Sequence, residues 1–219
     1  MLSRTLSNSE NNLFSMRFSR PILASLVLSV QAIAARAQDA PAPARNYPRT
    51  SLGLTLGWGA PYGWGLDVSH LLTRRLDLNA GVGASITGTK IGVGTTYYLA
   101  PEHRVSPFFG ANLVHSGGRK DLHVSESYRA FDHTFTSSEQ AHINFLSTNL
   151  LHLRSGLRWQ PTPRFAVLGT LGYGFVLGDD PIEYLEAPSH DSLRDAVRFQ
   201  SPGGLEISMG LAFALSRRE

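Results

Sequence analysis

The chain has 219 residues, no cysteine, 21 glycines and a formal net charge of +3. This length predicts one domain or at most two, and the absence of cysteine excludes disulfides, thiolate metal sites and cysteine nucleophiles. The sequence has no run of about 18 uninterrupted apolar residues, which excludes a bundle of membrane-spanning helices.

The first 37 residues have the pattern of a secretory signal peptide. A basic segment begins at Met16, an apolar stretch runs from Pro21 to Ala34, and Ala-Arg-Ala at 35–37 fits the small-x-small cleavage rule. We expect cleavage after Ala37, with Met16 as an alternative start, and an extended Ala/Pro-rich linker over residues 38–49. The signal segment holds four of the 20 basic and one of the 17 acidic residues, which leaves 16 of each. This balance gives no basis for nucleic-acid binding.

From residue 51 the sequence alternates between large apolar residues and glycine, hydroxyl or charged residues, which is the period of a β-strand. The pattern predicts strands over 51–59, 62–72, 76–87 and 90–99. The second strand would place Tyr62, Trp64 and Leu66 on its apolar face. The second and third strands read as an antiparallel hairpin around the polar break at 73–75.

Four more strands are predicted over 108–116, about 151–160, 165–177 and 205–215. The connections after the second, fourth and sixth strands are short, whereas the polar segments 117–143 and 178–204 are long. The second long segment includes one or two helical turns near 191–199. Together these elements predict an all-β fold, an eight-stranded antiparallel up-and-down transmembrane barrel over residues 50–219 with short turns at one end. A separate hairpin from Leu122 to Thr136 would raise the strand count to ten.

Aromatic residues fall near the ends of the predicted strands. Strands of about eleven residues are long enough to cross a bilayer when tilted, and outer-membrane barrels carry aromatic girdles at both interfaces. The predicted girdle residues are Trp58, Tyr62 and Trp64 at the external rim, and Tyr97, Phe109, Trp159, Phe165 and Phe213 at the periplasmic rim.

Several segments resemble the small outer-membrane β-barrel proteins of Gram-negative bacteria, of the OmpA and OmpX type. They are Leu-Thr-x-Arg followed by Leu-x-Leu-x-Ala-Gly-Val-Gly at 72–83, Tyr-Tyr-Leu-Ala-Pro at 97–101, Pro-Phe-Phe-Gly-Ala at 107–111, and the alternation of the last strand. The resemblance implies a location in the cell outer membrane, with lipid and the barrel assembly machinery as partners. It implies no cofactor.

The polar face of the strands predicts a lumen filled by charged side chains, because small barrels have packed interiors and buried charges must be paired. The predicted ion-pair network comprises Asp67, Asp77, Lys90, Arg154, Arg158 and Glu206. A narrow pore lined by the same groups is the alternative.

The long segment 117–143 contains His123, His133 and His142, whose spacings match no usual metal signature, so no metal site is predicted. His123 and Ser125 resemble the His-x-Ser pair of some outer-membrane lipid hydrolases, which leaves such an enzyme as a remote alternative. The main hypothesis is a non-enzymatic structural or surface-binding protein that meets an extracellular ligand through 117–143 and 178–204. A soluble secreted barrel with its large apolar face turned inward around a ligand is the other alternative.

Overall fold

The computed structural model describes residues 49–129, 136–186 and 191–215. The predicted signal peptide, the linker up to residue 48 and residues 216–219 lie outside this part of the chain. The described elements, in chain order, are β1 (Thr50–Trp58), β2 (Trp64–Leu71), β3 (Leu76–Ser85), β4 (Gly88–Tyr98), β5 (Val105–Ser116), β6 (Arg119–Arg129), β7 (Thr136–Phe145), β8 (Thr148–Thr162), β9 (Phe165–Leu177), β10 (Ile182–Glu186), α1 (Asp191–Gln200) and β11 (Gly204–Ala214). The described part contains no helix long and apolar enough to cross a membrane.

Eight strands close into an antiparallel barrel in the order β1-β11-β9-β8-β5-β4-β3-β2. The first and last strands meet in continuous register, from Ser51 opposite Ala214 to Trp58 opposite Ile207. The predicted eight-stranded barrel is therefore confirmed. Closure leaves this sheet no free edge.

Large apolar side chains face outward along the barrel strands, and small or polar side chains face the lumen. In β1, Leu52 and Leu56 are 36% and 49% exposed, whereas Ser51 and Thr55 are buried. The antiparallel register sets outward residues side by side across strands, as with Leu56 and Met209. The strand period of two thus becomes an apolar exterior around a polar interior.

The two ends of the barrel differ in the length of their connections. One end, here called the turn end, holds the short links β2–β3, β4–β5 and β8–β9 together with the start of β1 and the end of β11. The other end holds the tight β1–β2 and β3–β4 turns and two long insertions, 117–147 between β5 and β8 and 178–203 between β9 and β11. This second end is called the cap end.

The two insertions at the cap end contain a small folded unit, the cap, made of β6, β7, β10 and α1. The strands form a separate sheet in the order β10-β7-β6. Leu193 and Val197 of α1 are fully buried in a cluster with Ala141, Ile143 and Phe145 of β7. The ring of Phe199 at the end of α1 stacks on Trp58 at the barrel rim, with ring centroids 4.8 Å apart.

The structure corrects several predicted boundaries. β9 has the predicted bounds, but the sixth barrel strand already begins at Thr148, and β2 begins at Trp64 rather than at Tyr62. The segment 117–143 is largely a paired hairpin rather than a loop, and it joins β10 instead of adding strands to the barrel wall. The predicted helical turns near 191–199 are confirmed as α1.

Candidate functional site: the lumen and the cap

A hydrogen-bonded polar network fills the middle of the lumen. Its centre is the ion pair between Arg154 of β8 and Glu206 of β11, in which Nε and Nη2 of the arginine each lie 3.0 Å from Oε1 of the glutamate. Ser208 donates to the same oxygen at 2.8 Å, and His152 Nδ1 lies 3.6 Å from Oε2. Glu206 and His152 are fully buried. This arrangement balances the carboxylate with a guanidinium inside the barrel, as a buried charge requires.

Tyr62 is a correction to the predicted aromatic girdle. Its side chain is 2% exposed. In the lumen its hydroxyl donates to Asn79 Oδ1 at 2.9 Å and accepts from Asn112 Nδ2 at 3.0 Å. The reason is the β1–β2 turn, where Gly59 and Gly63 have φ angles of 64° and 63°, which glycine adopts readily. The chain reverses there, so alternation extrapolated back from Trp64 placed Tyr62 on the wrong face.

Asn79 and Asn112 extend this network from Tyr62 to both sides of the lumen. Asn112 Nδ2 donates to Asn79 Oδ1 at 2.6 Å, and Asn112 Oδ1 accepts from Arg154 Nη1 at 3.5 Å. The close approach depends on Gly94 of β4, because a Cβ there would lie 2.2 Å from Asn112 Nδ2. The glycine-rich face of the strands therefore makes room for amide and guanidinium groups.

We expect Tyr62→Phe to lower the free energy of unfolding by about 1–3 kcal/mol, because it removes the two hydrogen bonds that the Tyr62 hydroxyl makes with the amides of Asn79 and Asn112. Denaturant unfolding of the refolded chain in detergent micelles measures the change. The matched control is Tyr173→Phe, since Tyr173 is 45% exposed on the outer face. Equal shifts in the two variants would contradict the assigned role of Tyr62.

A second polar group lies toward the turn end, around Asp77, Tyr98 and Arg158, which are all buried. Tyr98 donates from its hydroxyl to Asp77 Oδ2 at 2.8 Å. The guanidinium carbon of Arg158 lies 5.2 Å from the centroid of the Tyr98 ring, within cation–π range. The phenol thus contacts both a carboxylate and a cation.

The other two residues of the predicted ion-pair network also lie in the lumen. Asp67 Oδ1 accepts from the Thr55 hydroxyl at 3.2 Å, across the β1–β2 pair. Lys90 donates from Nζ to the Ala60 carbonyl at 3.2 Å and so ties β4 to the β1–β2 turn. The lumen therefore combines the Arg154–Glu206 ion pair with hydrogen bonds to hydroxyl and backbone groups.

Little space remains inside the barrel. A cavity of about 60 Å³ lies among polar side chains that include Ser51, Asp67, Asp77 and Arg158. This volume holds roughly two water molecules at the density of the liquid. Toward the cap end the lumen is occupied by a cluster of Tyr62, Val114 and Leu150 with Val176. The described lumen is a filled interior rather than an open channel.

Apolar and aromatic side chains cover the outside of the barrel. Trp64 is 73% exposed at the cap end. Near the turn end, Tyr97 pairs with Phe109, and the rings of Phe165 and Phe213 lie 5.3 Å apart. The remaining predicted girdle residues, Trp58 and Trp159, are likewise exposed. Seven of the eight predicted girdle residues thus lie on the outer surface, Phe165 being only partly exposed.

The cap brings together residues that are far apart in the sequence. His123 of β6 pairs directly with His142 of β7, and Asp121 lies beside both histidines. His133 and the side chain of Ser125 are outside the described part of the chain. The sequence spacing of Asp121, His123 and His142 gives no signal for this cluster, because only the register of the β6–β7 hairpin brings the three residues together.

No protein-family model matches the chain, and no curated protein sequence matches it. Solved structures with some similarity include the N-terminal β-barrel domain of OprF from Pseudomonas aeruginosa (12% identity, TM-score 0.43, 77% of this chain and 98% of that chain). Another is CarO2 from Acinetobacter baumannii (9% identity, TM-score 0.44, 76% of this chain and 98% of that chain). A third is the Neisserial surface protein A (13% identity, TM-score 0.38, 76% of this chain and 94% of that chain). With identities and TM-scores this low, the eight-stranded closure rests on the chain's own strand pairing.

Proposed function

We propose that this chain is a closed β-barrel protein of the bacterial outer membrane that holds a small folded cap at the cell surface for binding. The observation that carries the proposal is the belt of exposed apolar side chains on all eight barrel strands. Its partners in this proposal are outer-membrane lipid, the barrel assembly machinery and an extracellular ligand at the cap. The proposal assigns no catalytic role to the chain.

The apolar belt supports a lipid environment. Leu66, Val93 and Met209 are 52%, 59% and 64% exposed. Water-soluble proteins rarely expose a contiguous apolar surface that extends around the whole molecule. Aromatic residues near both rims fit the two membrane interfaces. A soluble barrel around an apolar ligand would need the opposite arrangement, with large apolar groups inside and polar groups outside.

The connections support an orientation with the cap outside the cell. Outer-membrane barrels keep short turns on the periplasmic side and longer segments on the external side. Both ends of the barrel domain lie at the turn end, which agrees with entry of the chain from the periplasm after a signal peptide.

The filled lumen and the folded cap favour a structural and surface-binding role over a narrow pore. The Arg154–Glu206 pair and the cluster around Tyr62 occupy the lumen. The long insertions instead build a sheet and a helix with their own buried core. Segments presented on a rigid scaffold are where binding residues usually lie.

The proposal predicts that Leu153→Arg and Leu185→Arg have very different effects. Both leucines are 49% exposed, but Leu153 lies on the barrel wall and Leu185 on the cap strand β10. In a bilayer, the barrel variant should lose about 2–4 kcal/mol of folding free energy, because an arginine near the membrane midplane is desolvated by lipid. The cap variant should change by less than about 0.5 kcal/mol, as exposed substitutions do in water.

Denaturant unfolding of the chain folded into phospholipid vesicles measures both values. Equal small effects would contradict the lipid-facing assignment of the wall. Recovery of the chain, expressed with its signal peptide, in the detergent-free soluble fraction would contradict the membrane location independently.

A further inference from the structure

Three metal-ligating side chains meet on the face of the cap sheet opposite α1. Asp121 and His123 come from β6 and His142 from β7, and one donor atom of each lies within 4.8 Å of the others. Nε2 of His142 and Nε2 of His123 both approach Oδ1 of Asp121, at 2.5 Å and 3.9 Å. The imidazole rings are nearly parallel, with centroids 4.4 Å apart.

The backbone of β6 is distorted at this point. The register between β6 and β7 shifts between Arg119 and Leu122, and Asp121 has a φ of 62°, a left-handed conformation that few residues other than glycine adopt. Bulges of this kind redirect a side chain. Here the bulge precedes the direct pair of His123 and His142, so it sets the Asp121 carboxylate beside both imidazoles.

Neighbouring strands hold Asp121 in this strained conformation. Its N–H donates to Asn144 Oδ1 at 2.9 Å, and Asn144 Nδ2 donates to Glu183 Oε2 of β10 at 2.8 Å. All three strands of the cap sheet therefore contribute to the position of one carboxylate. Strained conformations persist where surrounding contacts fix them, and they concentrate at binding sites.

We propose that Asp121, His123 and His142 form a binding site for a divalent transition-metal ion of the Zn²⁺ type. Two imidazole nitrogens and one carboxylate oxygen are ligands that Zn²⁺ prefers, whereas Mg²⁺ and Ca²⁺ prefer oxygen. Three protein ligands leave a fourth tetrahedral position to water or to a group of a partner.

The geometry needs only side-chain rotation to accept the ion. Bonds of about 2.0–2.1 Å in a tetrahedral site set donor atoms roughly 3.3 Å apart, between the two separations seen at Asp121 Oδ1. The side chains of Asp121 and His123 are 77% and 62% exposed, so their rotation meets little packing. The hydrogen bond between Asp121 and His142 is then exchanged for bonds to the metal.

A metal at this position would join β6 to β7 next to the bulge. An ion that binds only the folded hairpin stabilises it by mass action. Zn²⁺ is therefore expected to stabilise the cap against local unfolding, and the open coordination position offers a direct contact for a surface partner.

The test uses the full chain without a histidine tag, folded in detergent, treated with a chelator and titrated with ZnCl₂ by calorimetry. We expect one ion per chain, and at least about tenfold weaker binding in each of His123→Ala, His142→Ala and Asp121→Asn. The matched control is His70→Ala at the turn end, where His70 contacts Thr50; its affinity should equal that of the parent chain.

Limited proteolysis supplies a structural readout on the same samples. Zn²⁺ should slow cleavage within the cap of the parent chain. Mg²⁺ should not slow it in the parent chain, and Zn²⁺ should not slow it in a variant that combines His123→Ala, His142→Ala and Asp121→Asn. Absence of Zn²⁺ binding by the parent chain would overturn the proposal. Unchanged affinity in His142→Ala would do so as well, because it would place the ion elsewhere.

Discussion

Arg154→Leu is expected to lower the free energy of unfolding of the barrel by about 3–5 kcal/mol. Arg154 makes two contacts of 3.0 Å with Glu206, whose side chain is fully buried. The variant leaves this carboxylate inside the barrel without its cation, and uncompensated buried charge is strongly destabilising. Denaturant unfolding of the refolded chain in detergent measures the loss.

Two further variants make this prediction specific. Arg164→Leu removes an exposed arginine from the β8–β9 turn and should change stability by less than about 0.5 kcal/mol. The double variant Arg154→Leu/Glu206→Leu should recover most of the loss, because apolar replacement of both members of a buried pair is often neutral. If Arg154→Leu unfolded at the same denaturant concentration as Arg164→Leu, the lumen would be solvated and a wet pore would be favoured.

Leu193→Ala is expected to destabilise the cap by about 2–5 kcal/mol while the barrel keeps its unfolding midpoint. Leu193 is fully buried and packs with Val197 of α1 against β7. The barrel wall closes through β5–β8 and β9–β11 pairing that does not involve the cap strands. Proteolytic cleavage within 119–145 and 182–200 reports on the cap. β-Sheet circular dichroism reports mainly on the barrel, which holds eight of the eleven described strands.

The control for this variant is Leu185→Ala, because Leu185 is 49% exposed on β10 and its truncation leaves no internal cavity. It should leave both readouts unchanged. A fall of the barrel midpoint together with loss of the cap in Leu193→Ala would show that both unfold as one cooperative unit. That outcome would remove the basis for treating the cap as a separate binding module.

The wall of the barrel was predictable because each of its strands separates outward-facing from lumen-facing residues. β9 shows this best: large outward residues alternate with Thr or Gly from Thr170 to Phe175, and the structure gives the predicted bounds of Phe165–Leu177. Successive side chains of a strand point to opposite faces, so the different requirements of the two faces appear in the sequence as a period of two. The pattern fails where the chain leaves the wall, as at Tyr62, although Gly59, Pro61 and Gly63 together were a recognisable turn signal.

The cap was not predictable in the same way. Its sheet buries Ile143 and Phe145 against Leu193 and Val197. These two residues belong to α1, about fifty residues later in the chain, so no local periodicity of apolar residues shows where the core of the cap lies. The Asp121 cluster depends on a bulge and a strand register. Neither is visible in the spacing of the histidines, which is why no metal site was predicted from the sequence.

The pairing of Ser116 with Thr148 has a consequence for the segment inserted between β5 and β8. These residues are direct partners in the barrel ladder, so their Cα atoms are only about 5 Å apart and a short turn would be enough to join them. The entropy of closing a longer segment rises slowly, by about 0.6 kcal/mol for each doubling of its length. The free energy of closing the wall therefore depends only weakly on the length of the segment inserted between these residues. That segment can therefore be lengthened, shortened or replaced while the ladder that closes the wall keeps its register.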